Sequence, residues 1–273
     1  MIYSDRALSR KLERTEARVN ADFVETRARL SPDSGAAWID VAGTYAMFDG
    51  IDSPLTQTFG LGIFEDATLD QLDKLESFFR ERGADTFHEV SPMADQSILA
   101  LLSGRGYTPI ELTSVMYREL REGIKVVDHA ATNPGLRIRR VDESEAELWS
   151  ATAAAGWANE QPGLVEFLRA MGAISARTRG GYPFIAELDG RPVAAAGFQI
   201  YEDVCILAGA STIPEARRQG AQNALLAARL DFALESGCRM AMMCAHPGSQ
   251  SQKNAQKNGF NIAYTRMKWQ LTL

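Results

Sequence analysis

The feature that most constrains the fold of this chain is a short basic turn between two regular segments. Residues 204–213 are mostly apolar and predict a strand, and the alanine- and leucine-rich residues 221–234 predict a helix. Between them lies the sequence Arg217-Arg218-Gln219-Gly220-Ala221-Gln222. The first N–H groups of a helix have no acceptor within the helix, and the helix dipole adds positive potential there. This strand, turn and helix therefore predict a site for a phosphate or diphosphate group.

A second pattern follows this helix. Residues 240–245 predict a buried strand, and residues 251–258 predict a short helix that Gly259 ends. Phe260 comes next, and an alternation of apolar and polar residues over 262–269 predicts a final strand.

Together these patterns resemble the acyl-CoA-binding region of the GNAT N-acyltransferase superfamily. The diphosphate loop of that family has the pattern Arg/Gln-x-x-Gly-x-Gly/Ala between its fourth strand and the next helix, and Arg217 and Gly220 match it. Gln222 departs from the pattern, because the family prefers Gly or Ala there. The resemblance covers residues 136–273 and implies that they bind acetyl-CoA or another short acyl-CoA. It also implies that the strands at 204–213 and 240–245 separate to admit the thioester.

The resemblance assigns cofactor contacts to two segments. The basic turn, whose alternative role is an ordinary solvated turn, would hold the diphosphate through backbone amides and two arginines. The short helix would border CoA, with a helix cap or a solvated helix as its alternative. The implied cofactor-binding residues are Ala210, Ser211, Thr212, Arg217, Arg218, Gln219, Gly220, Ala221, Gln222, Ser251 and Asn254.

The acid and base that many family members use are missing from this sequence. Residues 205–211 contain no carboxylate, and Ala255 stands where many members have a tyrosine. The candidate catalytic substitutes are His246 and Tyr264. As alternatives, His246 starts a proline-containing turn and Tyr264 packs in a sheet. For Glu89 we expect a surface carboxylate, and its alternative is a place in the acceptor site if the two halves face each other.

The length of 273 residues predicts two domains. Residues 1–120 are predicted to form a degenerate GNAT-like domain, residues 121–135 a linker, and residues 136–273 the acyl-CoA-binding GNAT domain. A helix end, a glycine-aromatic turn and a last strand close both halves. The first half carries Glu65 and Asp66 where the second half is basic, which predicts that it lacks a CoA site.

Composition excludes several classes of partner. A net charge of −6 and a pI near 5.3 argue against binding nucleic acid. No apolar run reaches the roughly 20 residues of a membrane span, and no secretory signal is recognisable, so we expect a cytoplasmic protein without a membrane partner. Three cysteines and three histidines without ligand spacing predict reduced thiols and no metal.

The sequence therefore predicts an α/β (α+β) protein of two tandem GNAT-like domains, each a mixed, mostly antiparallel sheet flanked by helices. The implied activity is that of an N-acetyltransferase, which moves an acetyl group from acetyl-CoA to an amine of a small molecule or peptide by direct attack in a ternary complex. The alternative is a catalytically impaired acyl-CoA sensor. A nucleotide-binding protein is disfavoured because the phosphate motifs of nucleotide sites are absent. We expect a monomer or homodimer.

Overall fold

The computed structural model describes residues 2–121, 133–159 and 162–273. The chain forms two compact units: unit 1 contains Met1–Tyr117 and Cys244–Leu273, and unit 2 contains Arg118–Met243. These units do not follow the predicted boundaries, because the C-terminal segment packs with the first half of the chain. The predicted division of the sequence into domains stays a prediction. Most of the predicted linker falls on residues 122–132, outside the described residues.

The regular elements include the strands and helices predicted over residues 204–269. They are α1 (Arg6–Leu30), β1 (Ala37–Val41), β2 (Thr44–Phe48), β3 (Gln57–Phe59), α2 (Leu69–Arg80), β4 (Thr86–Val90), α3 (Ser97–Gly104), β5 (Thr108–Glu119), β6 (Leu136–Arg140), α4 (Ala146–Ala155), α5 (Val165–Ser175), β7 (Phe184–Leu188), β8 (Arg191–Tyr201), β9 (Val204–Thr212), α6 (Ala221–Glu235), β10 (Met240–Ala245), α7 (Gln250–Lys257) and β11 (Asn261–Leu271).

The strands of unit 1 lie in the order β1-β2-β3-β4-β11-β5. All neighbouring pairs are antiparallel except β3 with β4, which are parallel and joined through the crossover helix α2. The last strand of the chain, β11, therefore lies between two strands of the first half. Trp269 pairs with His88 on one side, and Thr265 pairs with Ser114 on the other.

In unit 2 the strand order is β10-β9-β8-β7-β6. Strands β6 to β9 form antiparallel pairs, and β9 pairs with β10 in parallel through the crossover helix α6. Both units therefore contain an antiparallel meander followed by one parallel pair, and in unit 1 the antiparallel strands β11 and β5 continue the sheet beyond that pair. This confirms the predicted fold class and agrees with the predicted repetition of the architecture.

Alternating side chains build a core on each face of the unit 1 sheet. Met47 of β2 contacts the cluster under α1, whereas Ala46 and Phe48 contact the cluster under α2 and α3. Leu72 and Leu75 of α2 are fully buried, and burial of a leucine side chain stabilises a fold by about 1.5–3 kcal/mol. Ala17, Ala21 and Val24 of α1 belong to the same cluster as Met47, so an apolar face of this long helix packs on the sheet.

The unit 2 sheet is also covered on both faces. Trp149 of α4 packs with Ile185 on one face and donates from its indole N–H to the Phe184 carbonyl at 2.9 Å. On the other face, the ring of Phe232 from α6 lies 5.8 Å from that of Phe184 and 5.7 Å from that of Phe198. These contacts fix α6, and with it the turn at its start.

One predicted strand is shorter in the structure. The sequence pattern over residues 56–64 predicts a continuous strand, but β3 ends at Phe59 because Gly60 and Gly62 adopt φ values of +87° and +71°. A turn bond from the Ile63 N–H to the Gly60 carbonyl follows at 3.3 Å. Left-handed glycines cannot continue a ladder, so the prediction over residues 60–64 is wrong.

Candidate functional site

The candidate site lies in unit 2, where β9 departs from regular pairing. Its parallel register with β10 contains three pairs and ends at Ile206 and Met242. Gly209, with φ of +59°, forms part of a bulge against β8, and such a bulge bends the strand that contains it. Ala208 and Gly209 are exposed in the middle of the strand. The described pairing thus agrees with the implied separation of the two strands.

An arginine of helix α6 stabilises this bulge through a hydrogen bond to the backbone of β8. The buried Arg229 donates from Nη1 to the carbonyl of Gly197, the β8 residue paired with Ala208, at 2.9 Å. Burial lowers the pKa of Arg229 to about 10, which leaves it charged at neutral pH. A guanidinium that bonds backbone carbonyls at this point holds the irregular strand in one place.

Beyond β9 the chain makes a short 3₁₀ turn, Pro214–Ala216, and then enters α6 through two left-handed residues. Arg218 has φ of +65° and Gly220 has φ of +88°. Gly220 is the N-cap of α6, and no side chain caps the helix there. Within the described part of the chain, the backbone N–H groups from Arg218 to Asn223 have no hydrogen-bond acceptor. An uncapped helix start of this kind is a ready site for an anion.

The side chain of Gln222 explains how this turn tolerates a residue other than Gly or Ala. Its Nε2 donates to Thr212 Oγ1 at 2.7 Å, so the side chain turns back toward the end of β9. The departure from the family pattern therefore adds a hydrogen bond between strand and helix.

Arg217 makes internal contacts as well. Its Nε donates to the Thr212 carbonyl at 3.2 Å, and its Nη2 donates to the Gly156 carbonyl at 2.9 Å. Ser211 Oγ donates to the Ala153 carbonyl at 2.7 Å. Ser211 and Thr212 are buried, while Arg218 is exposed and makes no hydrogen bond or ion pair with any described residue.

In unit 1, the corresponding helix start is that of α2, and side chains of the same segment cap it. Thr68 Oγ1 accepts from the Gln71 N–H, and Gln71 Oε1 accepts from the Thr68 N–H, and together these bonds form a capping box. Arg10 of α1 donates to the carbonyls of Ile63 and Phe64 at 2.8 and 3.1 Å. The loop before α2 thus presents carbonyls to a cation, a polarity opposite to that needed for a phosphate.

Of the two candidate catalytic residues, His246 is exposed and directly follows β10. Its Nε2 lies 3.5 Å from Glu111 Oε1. The His246 carbonyl also accepts from the Ser249 N–H at 3.1 Å. His246 therefore starts a proline-containing turn, which was its alternative role. It belongs to unit 1. A role in proton transfer stays a prediction.

Tyr264 also belongs to unit 1 and is buried, with 6% of its surface exposed. Its hydroxyl donates to Glu13 Oε1 at 2.8 Å, and burial raises the pKa of Tyr264 well above its usual value. This placement agrees with the alternative of packing within the sheet, and a catalytic role for Tyr264 stays a prediction.

Around Tyr264 lies a buried ionic cluster that sequence reasoning missed. Arg266 bonds Glu16 at 2.7 and 2.9 Å, Glu89 at 2.9 Å and Glu13 at 3.4 Å. The expectation of a surface position for Glu89 is wrong, because it is 5% exposed and pairs with Arg266. The available signal was a pair of glutamates, Glu13 and Glu16, within the apolar stripe of α1.

Burial dominates the electrostatics of this cluster. It raises the pKa of Glu13 to about 7, against the opposing effect of Arg266, and it raises the pKa of Glu89 as well. Glu13 Oε2 is buried without a hydrogen-bond partner among the described residues. Below about pH 7 the cluster therefore binds a proton that an ordinary glutamate would already have lost.

The predicted CoA-bordering residues Ser251 and Asn254 are exposed on α7 of unit 1. Ser249 is the N-cap of this helix and accepts from the Gln252 N–H, so Ser251 is not the cap. Asn254 Oδ1 accepts from Gln250 Nε2 at 2.7 Å. Their contact with a cofactor stays a prediction.

The described residues contain neither a candidate metal site nor a candidate membrane-spanning helix. No group of three or more His, Cys, Asp or Glu side chains there is arranged to hold a metal ion. None of the helices described has both the length and the apolar character of a membrane span. All three cysteines are free thiols, with Cys205 and Cys238 buried and Cys244 partly buried.

Comparison with known sequences gives one family. Residues 143–260 match the sequence model of the Acetyltransferase (GNAT) family. This match contains the bulged strand β9, the basic turn and helix α6. No curated protein matches the sequence.

Solved structures similar to this chain extend over both units. A GCN5-related N-acetyltransferase from Kribbella flavida has a TM-score of 0.64 at 17% identity, covering 93% of this chain and 94% of that one. A tandem GNAT protein from the clavulanic acid biosynthesis pathway has a TM-score of 0.63 at 12% identity, covering 99% and 96%. A GCN5-related N-acetyltransferase from Sphaerobacter thermophilus has a TM-score of 0.56 at 14% identity, covering 84% and 76%. These similarities show a shared fold.

Proposed function

Residues 143–260 belong to the acetyltransferase (GNAT) family within a chain that has the tandem GNAT fold, and on this premise we propose that the protein is an N-acetyltransferase. It transfers an acetyl or other short acyl group from CoA to an amine of a small molecule or peptide. The amine attacks the thioester directly in a ternary complex.

The observation that carries the proposal is the uncapped start of α6. Six consecutive N–H groups, from Arg218 to Asn223, have no acceptor among the described residues, and the exposed Arg218 lies at the same turn. We assign the diphosphate of CoA to these groups, since backbone amides, the helix dipole and a guanidinium all favour phosphate oxygens. The edge of β9 beyond Ile206 would bind the amides of the pantetheine arm.

In the proposed reaction, the amine first loses the proton that makes it an ammonium ion. Its nitrogen then forms a bond to the thioester carbonyl carbon, the carbon–sulfur bond breaks, and sulfur leaves with the electron pair as a thiolate. The nitrogen loses a second proton, and the thiolate gains one. His246 and Tyr264 are the candidate groups for these transfers, and much of the rate would come from alignment of the two substrates.

Isothermal titration with acetyl-CoA tests the donor site. Gly220→Glu places a carboxylate where the diphosphate would lie, and we expect it to weaken binding about 100-fold or more. Gly237→Glu is the matched control, because Gly237 has φ of +83° at the other end of α6 and its added Cβ would meet no neighbour. Absence of binding by the folded wild type, or equal losses in the two variants, would overturn the assignment.

A thiol-release assay distinguishes acyl transfer from the sensor alternative. The sensor is favoured by the lack of a carboxylate on β9 and by the engagement of the Tyr264 hydroxyl with Glu13. Release of free thiol from acetyl-CoA is measured with a library of amines. Acceptor-dependent release supports the transferase. Tight binding of acetyl-CoA without release by any amine supports the sensor.

A further inference from the structure

We propose that Arg217 is a positioning residue that fixes the diphosphate turn to the ends of β9 and α4, and that Arg218 is the arginine that contacts the diphosphate. The sequence motif alone assigns the same cationic role to both residues. This inference rests on the proposed function for the identity of the donor, but the internal contacts of Arg217 exist without it.

The guanidinium of Arg217 joins two elements that are distant in sequence. Nε donates to the carbonyl of Thr212, the last residue of β9, and Nη2 donates to the carbonyl of Gly156, at the end of α4. The distances are 3.2 and 2.9 Å. A planar guanidinium can bond two such carbonyls at once, whereas a lysine ammonium offers only a single point of charge.

The end of α4 is a favourable place for this cation. The last carbonyls of a helix have no partner within the helix, and the dipole makes this end negative. Gly156 is the C-cap residue of α4, so its carbonyl is one of these groups. Arg217 therefore satisfies a polar group that the helix leaves open.

Close packing makes the link between α4 and β9 rigid. A Cβ added at Gly156 would lie 2.5 Å from Ser211 Cβ and 3.0 Å from the Thr212 nitrogen, so the two backbones approach closely. Ser211 Oγ adds its bond to the Ala153 carbonyl. Arg217 attaches the start of the turn to this rigid junction.

Arg218 differs in both backbone and side chain. Its φ of +65° places the backbone of Arg218 in the left-handed region. Both arginines are exposed, but Arg217 bonds two carbonyls, whereas Arg218 has no polar partner among the described residues. The two neighbouring arginines therefore have different roles. Arg217 fixes the turn through its hydrogen bonds, and the guanidinium of Arg218 is available to a ligand beside the unpaired amides.

The test compares Arg217→Gln, Arg217→Lys and Arg218→Gln by titration with acetyl-CoA at about 50 to about 500 mM KCl, where screening of exposed charge changes strongly. We expect Arg217→Gln to weaken binding about tenfold or more while leaving the salt dependence of the wild type intact, and Arg217→Lys not to restore it. Arg218→Gln should make the salt dependence shallower. A shallower salt dependence in Arg217→Gln, with the salt dependence of Arg218→Gln unchanged from the wild type, would overturn the proposal.

Hydrogen exchange of the ligand-free protein gives a readout that does not depend on CoA. The N–H groups of Gly156, Trp157 and Ala158 bond to carbonyls of the last turn of α4. We expect a peptide over residues 150–159 to exchange faster in Arg217→Gln and unchanged in Arg218→Gln. Unchanged exchange in Arg217→Gln would overturn the positioning role, even if the wild type binds acetyl-CoA. Failure of the wild type to bind acetyl-CoA would contradict the proposed function. In that case the hydrogen-exchange result alone would decide whether Arg217 positions the turn.

Discussion

Arg266 holds the Glu16 carboxylate through two hydrogen bonds, Nη1 to Oε2 at 2.7 Å and Nη2 to Oε1 at 2.9 Å, inside unit 1. Glu13 and Glu89 share the same guanidinium. Three carboxylates facing one buried cation cannot all be ionised without a large cost in free energy, because burial penalises each uncompensated charge. This is the physical reason that the pKa of Glu13 is raised to about 7.

We expect the stability of unit 1 to fall as the pH rises toward 7. With a folded pKa of about 7 against an ordinary 4.5, Glu13 is protonated in the folded state and ionised in the unfolded state between these values. The folded state then binds more protons, so the free energy of unfolding decreases by about 3 kcal/mol over this range. Urea unfolding as a function of pH measures it.

Glu13→Gln mimics the protonated carboxyl group and should remove this dependence. The variant should match the wild type near pH 4.5 and be more stable near pH 8. Glu65→Gln, at an exposed carboxylate without a described partner, is the control and should change neither value. A Glu13→Gln variant that is less stable than the wild type at pH 8 would contradict the raised pKa.

Removal of the central cation should be far more damaging. Arg266→Met leaves three buried carboxylates without their counter-charge, and loss of one partner from a buried pair costs about 3–5 kcal/mol. Adding Glu13→Gln to Arg266→Met should recover part of the loss above pH 7, because the folded single variant must there bury the ionised Glu13 carboxylate or bind a proton that the unfolded chain has lost. Chemical denaturation of the single and double variants measures both effects, and strictly additive effects would contradict the coupling.

Local sequence patterns predicted which segments form strands and helices better than they predicted which of these segments pack together. The strand at 240–245 and the helix from residue 221 appear where apolar periodicity and the basic turn place them. The location of β11 was not predicted, since alternation specifies a strand and its buried face but not its partner. Pairing of Trp269 with His88 spans most of the chain, and no local signal encodes such a contact.

The candidate site divides in the same way. The backbone of the turn before α6 was predictable, because a glycine at the N-cap has no side chain that could cap the helix. The different contacts of Arg217 and Arg218, on which the proposed separate roles rest, were not predictable, since they depend on the carbonyl of Gly156, which only the tertiary fold brings to the turn. The ionic cluster around Arg266 was missed for the same reason: its members come from α1, β4 and β11.

A pair of hairpin turns offers a test of packing in unit 1. Gly43 and Gly190 are each the second residue of a two-residue turn, with φ of +83° and +77°. A Cβ at Gly43 would lie 2.6 Å from Phe64 Cβ, whereas a Cβ at Gly190 would meet nothing within 4 Å. We expect Gly43→Ala to destabilise by about 1–3 kcal/mol more than Gly190→Ala, because overpacking adds to the shared backbone strain. Equal losses in chemical denaturation would contradict the contact with Phe64.

The two candidate proton-transfer groups should respond differently to substitution. His246 is exposed and its Nε2 approaches only the carboxylate of Glu111 within the described residues, so His246→Gln should lower kcat about 100-fold with little change in stability. Tyr264→Phe removes the hydrogen bond that lowers the pKa of Glu13, so it should shift the pH-dependent loss of stability to higher pH. Steady-state kinetics with an accepted amine and urea unfolding, each followed as a function of pH, separate these effects. A lower kcat in Tyr264→Phe with unchanged unfolding would instead assign the proton transfer to the tyrosine, and it would require unit 1 to open around a buried hydroxyl during turnover.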